Sequence, residues 1–243
     1  MAEALGARLV GTERFYGHLL GREAFNNEKL WPYPTVDAIA RSAILVDSAG
    51  KRLFDEGRGG IYLANEIAKL DDPLSICVVF DDEVWNGLAA DNRYPPCMNP
   101  AFVNEGGTVY GDNSLEALGQ QIGIPGKVLA ETVADYNRAL ESGTLENLEP
   151  IRTTDVVPAH PIKTAPFHAI ELCAGITYTM GGLAIDDQCR VLDANGLPIP
   201  GLHAAGSATG GIEGGPNAAY LGGLSKAVIT GLRAAEHIAK YQP

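Results

Sequence analysis

Apolar residues recur along this chain with two different periods, and the places where one gives way to the other mark out its elements. Ser42 to Asp47 and Leu74 to Phe80 read as strands, the second apolar enough to be buried. Asp81-Asp82-Glu83 offers capping carboxylates for a helix reaching about Ala90. Gly107 to Tyr110 is strand-like. Two helices follow, Ser114 to Ile122, begun by Asn113-Ser114, and Pro125 to Leu140, with Val128, Leu129, Thr132, Val133, Tyr136 and Leu140 on one face of the second. Near the C-terminus, Leu183-Ala-Ile185 and Cys189-Arg-Val-Leu192 alternate as a hairpin around Asp186-Asp187, and Leu202 to Ala205 is a short apolar strand stopped by Gly206. A helix then runs from about Leu224 to Lys240. At the other end, Ala2 to Ala7 reads as a short helix and Arg8 to Val10 as a strand, whereas Gly17 to Pro34 is aromatic, polar and irregular, as in an access loop. No repeat, low-complexity segment or linker interrupts the pattern.

The six glycines between Gly210 and Gly223 stand directly ahead of the last helix. Glycine there lets backbone approach a ligand, and the free N–H groups at the positive end of the helix favour an electron-rich group. A glycine-rich turn without a ligand is the other reading.

Composition narrows the classes. The 243 residues fit one large domain or two modest ones, and 46% hydrophobic content suffices for a sizeable core. A net charge of −12 argues against nucleic acid and against an anionic membrane surface, although excess acid also serves solubility. No apolar run reaches membrane-spanning length, and the N-terminus has no basic-then-apolar signal pattern. Cys77, Cys97, Cys173 and Cys189 have no metal-type spacing and read as buried or free thiols of a reducing compartment, with the cytoplasm as default. His160, His168 and His203 lie on strand-like segments without ligand spacing, so no metal is indicated.

Three segments carry a resemblance. Thr179-Met-Gly-Gly-Leu-Ala-Ile-Asp186, then Val191-Leu-Asp193 with Pro198-Ile-Pro-Gly-Leu-His-Ala-Ala-Gly206, then Leu221-Gly-Gly-Leu-Ser-Lys-Ala227 with Gly231, Ala234, Ala235 and Ile238 resemble the closing segment of one flavoprotein family. That family contains soluble fumarate reductases of the flavocytochrome c type, succinate dehydrogenase flavoprotein-like chains and 3-ketosteroid dehydrogenases. Lys51 to Glu56 matches its G-K-R-F-x-(N/D)-E, and Asn113 to Gly143 is similar to its cap helices. Met1 to Val10 resembles its mid-chain helix and strand. The family's N-terminal G-x-G-x-x-G, which holds the ADP half of FAD, is not found here between a strand and a helix.

The resemblance therefore implies the C-terminal half of an FAD enzyme: the C-terminal part of a Rossmann-like FAD-binding domain plus an α+β cap domain, α+β and α/β in class. Its borders are expected at 1–20 (FAD-domain segment), 21–160 (cap, or substrate, domain) and 161–243 (FAD-domain segment on the isoalloxazine side). A second chain carrying the G-x-G-x-x-G is the implied partner, and a separate subunit, a split gene product and a truncated polypeptide are all compatible with that.

The resemblance also implies site residues. Met180, Gly181, Gly206, Ser207 and Leu221, Gly222, Gly223, Leu224, Ser225 would contact the flavin, with serine at Ser207 where the family usually has glutamate. Relative to the fumarate reductases, Tyr178 stands in place of a histidine, Tyr220 of a substrate-binding arginine and Trp85 of a proton-donating arginine. A dicarboxylate would lose its charge-assisted forks. Two tyrosines and a tryptophan suit a flat apolar substrate with a carbonyl, a 3-ketosteroid-like ketone, with Tyr220 as leading acid/base or ketone-polarising residue and Tyr178 as the second. Both tyrosines as packed residues with bonded hydroxyls is the alternative. Glu56 matches the family's relay carboxylate but reads as an ordinary surface glutamate, because no arginine stands in register to complete the relay and Arg58 is one position off. Two other functions stay open: a fumarate or enoate reductase drawing on Arg22, Arg41, Arg52 or Arg93, and a non-catalytic partner that completes a flavoprotein.

Overall fold

The computed structural model describes residues 1–91, 98–213 and 219–241. In chain order its strands and α-helices are β1 (Leu9–Val10), β2 (Phe15–Gly21), α1 (Asp37–Ala40), β3 (Ile44–Val46), α2 (Gly60–Ile67), β4 (Cys77–Asp81), α3 (Asp82–Asn86) and α4 (Met98–Asn104). There follow β5 (Tyr110–Asp112), α5 (Leu115–Gln121), α6 (Gly126–Ser142), β6 (Phe167–Thr179), β7 (Gly182–Leu183), β8 (Arg190–Leu192), β9 (Pro198–His203) and α7 (Gly223–Tyr241). They form two compact units, one of Met1–Tyr16 with Ile176–Pro243 and one of Gly17–Gly175. The borders thus fall at 16/17 and 175/176, within β2 and β6, beside the expected 20/21 and 160/161. Most of β6 belongs with the larger unit because Phe167 to Glu171 register against β4, and Phe167 to Ala169 against β5.

The larger unit is built on a sheet of order β2-β6-β4-β3, with β5 also paired to β6. All five residues of β4 are buried, as a strand covered on both faces requires. The amphipathic face of α6 packs Leu129, Val133 and Tyr136 into one cluster with Ile44, Val46, Val79 and Ala169. Each such apolar side chain contributes roughly 1.5–3 kcal/mol of burial. Caps fix the helix starts: Ser114 accepts from the Ala117 N–H of α5, and Asp81 from the Val84 N–H of α3.

Several expectations change. The expected access loop begins as β2, because Phe15, Gly17 and Leu19 are buried with half-buried Tyr16 and His18 between them, a period-two pattern masked by its glycines and histidine. The helix expected over Ala2 to Ala7 is a single 3₁₀ turn, Glu3–Leu5, closed by Gly6. The helix capped by Asp81 ends at Asn86 rather than Ala90. Glu56 is not a surface residue: it is fully buried and bonded to Arg52.

The smaller unit is thinly cored. Strand β1 pairs antiparallel with β7, and β8 with β9. The expected hairpin turn is present, since Asp186 accepts from the Gln188 and Arg190 N–H groups and Arg190 returns an ion pair. Its arms, however, find their main partners in β1 and β9. The buried cluster there consists of Ala7, Val191 and Ala204. Helix α7 buries Lys226, Thr230 and Ala234 and leaves Leu224 (86% exposed), Val228 (67%) and Leu232 (57%) in the open, the reverse of an ordinary amphipathic helix.

Candidate active site

The smaller unit brings the two sequence-selected tyrosines together. Tyr178 is the penultimate residue of β6, and Tyr220 lies three residues before α7. Their ring centroids are 5.0 Å apart and tilted by 59°, and Tyr16 adds a third ring 5.1 Å from Tyr220. Pairs at this spacing gain about 0.5–1.5 kcal/mol beyond area burial. Tyr220 remains 43% exposed, so its ring is not sealed in a core.

Behind the rings lies a buried charge cluster that the sequence did not single out. The Lys226 ammonium donates to the Tyr178 phenol oxygen (3.1 Å), to the Thr209 carbonyl (2.8 Å) and to a Glu213 carboxylate oxygen (3.0 Å). The side chains of Lys226 and Glu213 are 2% and 0% exposed. The other Glu213 oxygen accepts from the Leu221 N–H, and the Tyr220 hydroxyl oxygen accepts from the Gly223 N–H at 2.5 Å. Glu213 therefore ties the approach to α7 to the same lysine that holds Tyr178. The one signal in the sequence was Lys226 sharing a helical stripe with Thr230 and Ala234, four and eight residues on.

The flavin-facing candidates fall into three groups. Gly222 has φ of +93°, a conformation glycine adopts without strain, and it turns the chain into α7. With the Gly223 N–H taken by Tyr220, those of Leu224 and Ser225 have no intrahelical acceptor, and Leu221 and Leu224 are exposed beside them. Gly206 is buried and donates to Thr230 Oγ1 at the middle of α7, while Ser207 next to it is exposed. Met180 is buried, and a Cβ on Gly181 would lie 2.6 Å from Thr12 Cα, so internal packing already accounts for that glycine. Gly214 and Gly215 of the glycine stretch lie outside the described residues. The start of α7, with unclaimed intrahelical N–H donors flanked by the exposed Leu221 and Leu224, suits a planar, partly apolar ring with acceptor atoms at its edge. The residues present fit an isoalloxazine.

Other candidates belong to the larger unit. Trp85 packs with Phe80 and His168, at 6.0 Å between centroids in each case. Arg22 pairs with Glu171 and Arg52 with Glu56. Burial pushes the Cys77 and Cys173 thiols up to about 12 and about 11, which removes them as nucleophiles near neutral pH. Among the described residues no group of three or more His, Cys, Asp or Glu side chains could hold a metal. No helix of the described residues is long and apolar enough to cross a membrane.

A family model described as an FAD binding domain matches residues 24–223. The chain belongs to the FAD binding domain family. Relatives of this family member include a fumarate reductase (cytochrome) of Shewanella frigidimarina, 34% identical over 82% of this chain and 32% of that protein. A 4-oxocyclohexanecarboxylate 2-dehydrogenase of Sinomonas cyclohexanicum is 30% identical over 69% of this chain and 31% of that protein. The chain thus spans about a third of the length of these curated relatives. In fold it is similar to the 3-ketosteroid delta1-dehydrogenase of Sterolibacterium denitrificans, with a TM-score of 0.67 at 24% identity over 99% of this chain and 46% of that one. A flavocytochrome c3 fumarate reductase in its open conformation gives a TM-score of 0.59 at 25% identity, covering 99% and 39%. The fold class expected from the sequence, part of an FAD-dependent oxidoreductase, is the one observed.

Proposed function

We propose that this chain supplies the isoalloxazine-facing and substrate-facing part of an FAD-dependent oxidoreductase that forms or reduces a C=C bond next to a ketone. The observation that carries this reading is the pairing of Tyr178 with Tyr220 at the start of α7, each phenol oxygen already accepting a hydrogen bond. An oxygen so occupied keeps its own O–H proton available to a substrate. Tyr220 would polarise the ketone and Tyr178 would exchange a proton with the substrate, while the three rings form an apolar wall. Bound FAD supplies the hydride chemistry. Leu221 to Ser225 would run along the ring edge, Met180 and Gly181 near the ring, and Gly206-Ser207 beside the ribityl chain.

A cyclic ketone is favoured over a dicarboxylate by the residues at hand. The Sinomonas relative is named for an oxocyclohexanecarboxylate substrate, a cyclic ketone with a single carboxylate, and the steroid dehydrogenase of similar fold was solved with 1,4-androstadiene-3,17-dione. Arg22 and Arg52 are already engaged by carboxylates of their own unit. The ADP half of FAD would be held by a G-x-G-x-x-G segment on a second piece of polypeptide. The exposed Leu224, Val228 and Leu232 stripe supports such a partner, since an apolar face of this kind is ordinarily covered.

Co-expression with a neighbouring chain bearing G-x-G-x-x-G tests the reading. A yellow complex that is oxidised or reduced by a cyclic enone or its saturated ketone, and is silent to succinate and fumarate, is expected. A complex that turns over fumarate instead, or that retains no flavin, overturns it.

A further inference from the structure

The two phenols of the pair are held differently. Tyr220 receives a neutral backbone N–H from Gly223, whereas Tyr178 receives a charged ammonium from Lys226. A lysine ammonium has three protons and no lone pair, and those of Lys226 go to Tyr178, Thr209 and Glu213. Tyr178 can therefore act only as acceptor toward Lys226, and its hydroxyl proton must point elsewhere. Burying a Lys–Glu pair is costly compared with burying an apolar pair of similar volume, so the fold gains little from it for stability alone. Helix α7 nevertheless turns Lys226 inward and leaves Leu224 and Val228 outside.

We propose that Lys226 is a positioning residue: fixed between Glu213 and the Thr209 carbonyl, it holds the Tyr178 oxygen from behind and makes Tyr178, rather than Tyr220, the proton-exchanging group of the site. This rests on the oxidoreductase reading above. In the reducing direction the Tyr178 O–H bond breaks and its proton passes to the carbon next to the ketone; bound FAD would supply the hydride for the other alkene carbon. The phenolate left behind stays beside the ammonium until solvent returns a proton. In the oxidising direction the same steps run backward, and Tyr178 removes that proton. The cluster is neutral at rest and carries one negative charge after proton loss. Lys226 acts only as a donor, holding the anionic oxygen through a charge-assisted bond.

Four variants of the flavin-loaded complex test this: Lys226→Met, Lys226→Arg, Tyr178→Phe and the Lys226→Met/Tyr178→Phe double. Lys226→Met is expected to lower kcat by about 100-fold, the usual scale of a general acid–base contribution, with KM changed less than about 3-fold and a larger solvent isotope effect. Lys226→Arg should recover at least about a tenth of the wild-type kcat, since it keeps the positive donor. The double variant should be no slower than Tyr178→Phe alone, because both act on one step. Additive losses, or a loss confined to KM, overturn the proposal. If Lys226→Met does not fold, Lys226→Arg and Tyr178→Phe carry the comparison.

A second measurement does not depend on turnover. With tyrosine labelled at the ring carbon bearing the hydroxyl, Lys226→Met should move the Tyr178 NMR resonance and leave that of Tyr136 in place. An unmoved Tyr178 resonance sinks the proposal even where the enzyme turns over a ketone. A moved resonance in a complex that turns over no ketone keeps the lysine's hold on Tyr178 and removes the substrate reading.

Discussion

Arg52 and Glu56 close a two-point ion pair inside the larger unit, with Nη2 2.5 Å and Nε 3.1 Å from the two carboxylate oxygens. The same carboxylate accepts from the Leu45 N–H of β3, and Arg152, itself fully buried, places Nε 4.0 Å away. Removing one member leaves a buried charge uncompensated. Glu56→Gln should therefore cost about 3–5 kcal/mol of stability, read as a lower urea midpoint with an unchanged m-value. A variant that keeps its midpoint yet loses turnover would point to a proton-relay role for Glu56 instead.

Tyr220→Phe separates a site role from a packing role. The ring stays, and only the oxygen that accepts from Gly223 is lost. Stability should fall by about 0.5–1.5 kcal/mol. Binding of a cyclic ketone should weaken by about 10-fold, the scale of one lost hydrogen bond to a carbonyl. A change in melting temperature with ketone affinity untouched would show that the hydroxyl serves only the turn into α7.

The exposed stripe of α7 makes a prediction that separates two assays. Leu224→Asp with Val228→Asp should leave the urea midpoint of the isolated chain nearly unchanged, because neither side chain is buried in it. The same pair should abolish co-purification with the proposed G-x-G-x-x-G chain and retention of FAD, as expected for a contact face. Retained complex and flavin would place the partner elsewhere.

Acid should loosen the seam between β9 and α7. His203 Nε2 lies 3.0 Å from His237 Nδ1, and His203 is held below the ordinary histidine range, first by burial and then by His237. Arg190 acts in the same sense and Asp186 against it. With the folded value lowered, the unfolded chain takes up its proton first as pH falls. The stability tied to neutral His203 is therefore complete above about pH 6.5 and lost as pH drops through the folded value. Melting curves between about pH 7.5 and pH 5 should show a steeper decline for wild type than for His203→Gln. Parallel declines would remove His203 as the cause.

Cys77 and Cys173 should resist thiol reagents in the native state. Burial comes first among the causes that raise both, with Glu171 adding at Cys77 and Glu23 at Cys173. Peptide mapping after brief labelling near pH 8 should find them unmodified until the chain is unfolded. Rapid native labelling at either position would contradict the packing around β4 and β6.

The elements written as long single periods were legible from the chain alone. Helix α6 shows the face that its leucine, valine and tyrosine positions foretold, and the Ser114 and Asp81 caps stand where the sequence put them. Strand β2 was hidden because glycine and histidine occupied its alternate positions, and apolar counting does not register a buried glycine. The site divided in the same way. Motif order picked out Tyr178, Tyr220 and the turn into α7, whereas Lys226 passed as an unremarked helix lysine and Glu56 as a surface acid.

What the sequence determined by itself was the family, the long single-period elements and the two tyrosines as candidates, because these depend on local spacing and on residue types at fixed offsets. Only the tertiary structure decided which groups face each other: Lys226 against Tyr178, Glu213 against both Lys226 and the Leu221 backbone, and Arg52 against Glu56. Whether a charge is buried or solvated, and whether a phenol oxygen gives or accepts, depends on partners that chain folding brings from 48 residues away in one case and 13 in another. No local pattern encodes those distances.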